Sequence, residues 1–210
     1  MKILFSVGPV NIHFFGVMIA TGVITAYLLI MREARQKGMN TDEISNIIMG
    51  GILGIFIGAR VGYILFYNFS YYLEQPLRIF MVSSGGLSVH GGIVGGLITV
   101  GAISVRSNKY NFRELAEMFA PPIVLAQGIS RIGCDVYGQT MSQARLWGLE
   151  VGSLYVHPVQ MYEFLLNYIF FTILWTIRKD YRVKGKIFGI YLIGYGGIRM
   201  VLCQDFGHIK

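Results

Sequence analysis

The chain has 210 residues, of which 54% are hydrophobic and only 14% charged, with a mean hydropathy of +0.55. Soluble globular domains carry about 25% charged residues, so this composition points to a polytopic membrane protein with no room for a large soluble domain. The formal charge of +7 is not a nucleic-acid signature, because no RNA-binding motif accompanies it and the basic residues gather in short loops.

A spanning helix needs about 20 apolar residues, and six stretches qualify. The first covers 12–31. It follows Met1-Lys2 without a small-residue cleavage site and stops at Arg32 and Arg35, so it reads as an uncleaved helix rather than a signal peptide. The second covers 44–67 and carries Gly50, Gly54, Gly58 and Gly62 at every fourth position. Small residues at this spacing let helix backbones approach closely inside a membrane. Arg60, Tyr63 and Tyr67 share a different face of the same helix, which is expected to line a cavity. The third stretch, 87–105, contains His90 and the glycines Gly91, Gly92, Gly95 and Gly96. The fourth, 112–134, opens with Arg113, Glu114 and Glu117 and carries Pro121-Pro122, so a kinked or interfacial inner part is expected. The fifth and sixth cover 158–177 and 185–203. No internal repeat is visible. The expected architecture is an all-α membrane protein, a compact bundle of about six transmembrane helices forming one integral membrane domain over 1–210.

Loop charges orient the bundle. The loops after helices 1, 3 and 5 hold Arg32, Arg35, Lys37, then Arg106, Lys109, Arg113, then Arg178, Lys179, Arg182, Lys184 and Lys186, eleven basic residues in all. The opposite side has four: Lys2, Arg78, Arg145 and Lys210. This asymmetry places the three loops in the cytoplasm and both termini outside.

Five ionisable residues remain inside the spans: Arg60, His90, Arg131, Glu163 and Arg199. A charge in hydrocarbon costs at least about 2.5–3.5 kcal/mol and by default marks a functional site. With this topology all five lie near the outer ends of their helices. Each could snorkel separately to the interface. Five on five helices in one leaflet instead suggest a shared site, and three arginines against one carboxylate suggest an anionic ligand. The two cysteines, Cys134 and Cys203, exclude a disulfide framework; each closes a helix, as a small buried hydrophobe or as half of a thiol pair.

Several local sequences carry more than composition: Gly8-Pro9-Val10-Asn11-Ile12-His13-Phe14-Phe15-Gly16, Gly58-Ala59-Arg60-Val61-Gly62-Tyr63-Ile64-Leu65-Phe66-Tyr67-Asn68, and Gly85-Gly86-Leu87-Ser88-Val89-His90-Gly91-Gly92. Arg131-Ile132-Gly133, His157-Pro158-Val159-Gln160-Met161-Tyr162-Glu163 and Gly194-Tyr195-Gly196-Gly197-Ile198-Arg199 follow. In this order and spacing the chain resembles the prolipoprotein diacylglyceryl transferase family from Gly8 to Arg199. The resemblance implies phosphatidylglycerol, or another anionic phospholipid, as donor. It implies the lipobox cysteine of a prelipoprotein signal peptide as acceptor, glycerol 1-phosphate as leaving product, and no metal or cofactor. It further implies a bacterial plasma membrane with the site facing the outer leaflet. His90, Arg131, Glu163, Tyr195 and Arg199 occupy matching positions, and Arg60 and Tyr63 fall in the matching helix 2 motif. Gln139 and Cys134 stand where the family has glutamate and asparagine. The chain also departs at Phe14-Phe15, Tyr137, Ser142 and Cys203, and lacks the family's seventh helix and larger outer region.

The residues themselves suit that chemistry. A thiol ionises near about pH 8.5 and an imidazole near about 6.5, so His90 can take the proton as the thiol attacks carbon. Arg131 and Arg199 are expected to share the catalytic work, their guanidinium forks matching the departing phosphate. Arg60, Tyr63, Glu163, Tyr195, Gln139 and Cys134 are the expected substrate-binding residues. Two rivals are a phospholipid-dependent transferase with another acceptor and a non-enzymatic anionic-lipid-binding or transport protein. A transporter favours interrupted half-helices and paired repeats near the midplane, whereas here the charges lie off the midplane and no repeat is visible.

Overall fold

The computed structural model describes residues 3–7, 10–67, 69–75, 78–79, 85–107, 109–135, 137–141, 147–151, 154–180 and 185–205. Seven helices and two small hairpins are present among them. The six expected stretches all fold as helices: α1 (Phe14–Gln36), α2 (Thr41–Tyr67), α4 (Val89–Ser107), α5 (Phe112–Ile132), α6 (Val159–Ile177) and α7 (Ile187–Asp205). The short helix α3 (Phe69–Glu74) follows α2. Strands β1 (Ile3–Val7) and β2 (Val10–His13) pair antiparallel ahead of α1, and β3 (Leu149–Val151) pairs with β4 (Leu154–Val156) ahead of α6. Neither hairpin nor α3 was expected, because each is too short to generate a readable period.

Helix ends follow local chemistry more than hydropathy. α1 runs past Arg32 and Arg35 to a glycine cap. Gly38 takes a left-handed φ of 68°, its N–H bonds the Arg35 carbonyl at 3.1 Å, and the Met39 N–H bonds Ala34 at 2.9 Å. α2 starts three residues earlier than expected because Asn40 caps it. The Asn40 Oδ1 accepts from the Asp42 N–H at 2.9 Å, and Asp42 and Glu43 complement the helix dipole. α5 continues through Pro121 and Pro122, both fully buried.

The chain divides into two units, Met31–Leu115 and Met1–Ile30 with Ala116–Lys210. In the first, α2 and α4 meet glycine to glycine. A Cβ on Gly58 would stand 2.5 Å from the Gly91 carbonyl oxygen, and one on Gly62 would stand 2.7 Å from the Gly91 Cα. The expected packing role of the helix 2 glycines is therefore seen directly. At the other end of these helices, the Tyr110 hydroxyl accepts from the Asn40 N–H at 3.0 Å, and Lys109 pairs with Glu43. That carboxylate holds the Lys109 ammonium above the usual lysine range. The two basic loops of this unit thus lie side by side.

In the second unit, Ala120, Val124, Leu174 and Ile187 form a buried apolar cluster of α5, α6 and α7. Outward faces are apolar in both units, for example Ile57 at 62% exposure, Ile98 at 64% and Ile193 at 80%. Buried faces carry glycine, glutamate, asparagine and arginine beside apolar residues. Apolar outward faces over a partly polar interior are the pattern of a protein solvated by lipid. α1, α2 and α4 are each long and apolar enough to cross a membrane. α5 and α6 carry charged and amide groups, and α7 is apolar over the shorter Ile187–Leu202. The protein is an all-α membrane protein, and the candidate site lies on α5, α6 and α7.

Candidate functional site

In the unit holding α5, α6 and α7, the structure brings together three of the expected residues. Glu163 lies in the second turn of α6 on a buried stripe with Val159, Gln160, Asn167 and Leu174. Its side chain is 4% exposed, and each carboxylate oxygen receives a guanidinium. Arg131 Nε, from the last turn of α5, reaches Oε2 at 2.7 Å. Arg199 Nη1, from α7, donates to Oε1. The arginine side chains themselves are 27% and 36% exposed. One carboxylate so holds two guanidiniums, and the cluster keeps one net positive charge. Forks fixed in this way suit an anion.

Glu163, expected to bind substrate, is more deeply buried than the two guanidiniums it pairs with, and it fixes their forks. The Tyr195 hydroxyl lies beside the Arg131 guanidinium, with the Cys134 thiol close by. Tyr195 stacks on Tyr191 with ring centroids 6.0 Å apart. Sequence reasoning missed the next layer down. There Gln127, one turn before Arg131, donates from Nε2 to the Tyr191 hydroxyl at 3.2 Å, and Asn167 Nδ2 donates to the Glu163 carbonyl at 2.7 Å. The spacing of Gln127 to Arg131 and of Tyr191 to Tyr195 and Arg199, four residues each, was the available signal.

Beyond α5, Cys134 carries a free thiol, so it is not bridged; the Cys203 side chain lies outside the described residues. Gln139 has an exposed side chain, and its backbone carbonyl accepts from the His157 N–H at 3.2 Å. Gly138 N–H returns a bond to the His157 carbonyl at 2.9 Å, and the His157 ring stands 3.4 Å from the Tyr162 hydroxyl. The motif around His157 therefore anchors the segment that carries Gln139. Ser142 lies outside the described residues.

The unit holding α2 and α4 contains the other expected residues. His90 is the second residue of α4 and is exposed. Arg60 departs from expectation. It is 6% exposed, and its guanidinium donates to backbone carbonyls rather than facing open space. Nε reaches Ile79 at 3.0 Å, Nη1 reaches Gly85 at 2.8 Å and Gly86 at 2.9 Å, and Nη2 reaches Arg78 at 2.8 Å. The planar fork is shared among carbonyls that a sequence pattern cannot reveal. Tyr63 stacks on Tyr67 with centroids 5.5 Å apart, and its ring also crowds Gly86. No cluster of His, Cys, Asp and Glu suited to a metal ion occurs among the described residues.

Comparison with known proteins extends these observations. Residues 2–203 match the sequence model of a family described as prolipoprotein diacylglyceryl transferase. A relative from Citrobacter koseri named phosphatidylglycerol–prolipoprotein diacylglyceryl transferase is 34% identical over 230 aligned positions, which cover 95% of this chain and 79% of the relative. One of the same name from Yersinia pestis is 33% identical over 232 positions, with the same shares covered. With a polar cluster set in lipid-facing helices and matches over nearly its whole length, the chain belongs to the prolipoprotein diacylglyceryl transferase family.

Proposed function

We propose that this transferase moves the diacylglyceryl group of phosphatidylglycerol to the lipobox cysteine of a prelipoprotein signal peptide and releases glycerol 1-phosphate. The observation that carries the reading is the pair of guanidiniums held on one buried carboxylate. Arg131 and Arg199 bind the phosphodiester of the donor and take up charge as it leaves. The thiol sulfur attacks the glyceryl carbon, a C–S bond forms, the C–O bond to phosphate breaks, and His90 accepts the thiol proton. Glu163 orients both forks, Tyr195 and Cys134 flank Arg131, and Tyr63 and Gln139 contribute to substrate binding. No step in this scheme requires a cofactor. The relatives named for this reaction support the donor and the acceptor class. The protein is assigned to the bacterial plasma membrane as one integral membrane domain, with the anion site toward the outer leaflet, on the strength of the basic loops.

The test uses purified protein, labelled phosphatidylglycerol and a lipobox peptide. A diacylglyceryl thioether on the peptide cysteine and free glycerol 1-phosphate in equal amounts are expected. Phosphatidylglycerol binding without thioether would overturn the reading in favour of another acceptor or a non-enzymatic lipid-binding role.

A further inference from the structure

The start of α4 is held to α2 by an unusually complete set of bonds. Arg60 donates to the carbonyls of Arg78 and Ile79 on one side and of Gly85 and Gly86 on the other, all between 2.8 and 3.0 Å. These partners lie 18 to 26 residues along the chain from Arg60, so the guanidinium ties residues 78–79 and 85–86 to α2. Its Cζ lies 5.2 Å from the centre of the Tyr72 ring, which helps seat the charge. Beside it, the Ser88 N–H donates to the Ala59 carbonyl at 2.8 Å.

Gly85 and Gly86 have φ values of 85° and 84°, a backbone region that side chains rarely adopt. Gly86 is constrained twice, since a Cβ there would stand 2.8 Å from Arg60 Nη1 and 2.7 Å from the Tyr63 ring. The double glycine so turns both carbonyls onto one guanidinium, and the chain then enters α4. His90 follows four residues after Gly86. Its side chain is exposed, so the backbone here, held by this turn and by the packing of Gly91 on Gly58 and Gly62, sets where the imidazole stands.

We propose that Arg60 is a positioning residue: it clamps the turn ahead of α4 and thereby places His90. The proposal rests on the assignment of His90 as proton acceptor above. Lysine would not replace Arg60, because an ammonium is a point charge whose donors cannot span carbonyls on both sides of one plane. This role also separates Arg60 from Arg131 and Arg199, which the proposed function assigns to the donor phosphate.

The experiment compares the full-length wild type, Arg60→Lys and Gly86→Ala in nanodiscs containing phosphatidylglycerol. Backbone hydrogen exchange is read first, because it needs no turnover. Amides of residues 85–92 should exchange about tenfold faster or more in Arg60→Lys, with α6 and α7 unchanged, because removing a carbonyl clamp frees a local segment. Diacylglyceryl transfer is read second. Displacing a reacting group by about 1 Å can lower the rate by about 100-fold, so kcat should fall at least about tenfold while the KM for phosphatidylglycerol moves less than about threefold. Gly86→Ala keeps the guanidinium but spoils the turn, and should reproduce both changes; it carries the test if Arg60→Lys does not fold. Unchanged exchange overturns the clamp, and faster exchange throughout the protein reduces Arg60 to general stability. A raised KM with kcat held would make Arg60 a headgroup ligand instead. If the wild type shows no transfer, the functional assignment fails by itself and exchange alone decides the clamp.

Discussion

Replacing Glu163 by glutamine separates two ways in which a pair of arginines can attract a lipid. Glutamine keeps the shape of the side chain, but one carboxylate oxygen becomes an NH2 group facing a guanidinium donor. The cluster passes from one net positive charge to two, since two arginines share a single carboxylate. Removing one member of a buried ion pair costs about 3–5 kcal/mol. Here the arginine side chains are 27% and 36% exposed, so water screens part of the freed charge. The expected loss of stability is therefore about 1–3 kcal/mol. The sign of the binding change is the decisive quantity. If Glu163 aims both forks at one phosphate, losing that aim outweighs the added charge, and phosphatidylglycerol binds about tenfold more weakly, about 1.4 kcal/mol. If the arginines act as point charges, binding tightens. Titration of labelled phosphatidylglycerol into nanodisc-embedded wild type and Glu163→Gln, with thermal unfolding in parallel, reads both terms. Equal or tighter binding by a folded variant would refute the positioning role of Glu163.

Arg131→Ala and Arg199→Ala should each weaken phosphatidylglycerol binding by about 1.5–3 kcal/mol, the value of a charge-assisted hydrogen bond; unchanged affinity in both would mean that the arginines only reach toward the interface. Arg131→Lys should also bind more weakly, because an ammonium cannot hold Glu163 and a phosphate in one plane. Gly58→Val places a Cβ 2.5 Å from the Gly91 carbonyl and should lower stability by about 1–3 kcal/mol through overpacking, read as a lower unfolding temperature; a neutral effect would show that α2 and α4 part easily. Reporter fusions at Asn40 and Lys109 should read cytoplasmic and one at Gln75 external, and an external signal at Lys109 would break the orientation.

Much of this protein is written locally in its chain. All six long helices, their ends within a few residues and the glycine faces follow from composition and spacing, because hydropathy and the helical repeat act over neighbouring residues. The Asn40 cap and the Gly38 terminus are equally local, though subtler than the apolar runs they bound. The ionisable residues were also legible, since a charge in an apolar run needs a reason. Their partners were not. Whether Arg60 meets a phosphate or four carbonyls is a matter of where Gly85 and Gly86 turn, 25 and 26 residues away. That Glu163 serves two arginines depends on α5 and α7 approaching α6 from separate parts of the sequence. A side chain's type states what it can bond. Only tertiary packing decides which donors and acceptors come within 3 Å of one another, because a hydrogen bond or ion pair between distant residues leaves no period in the chain.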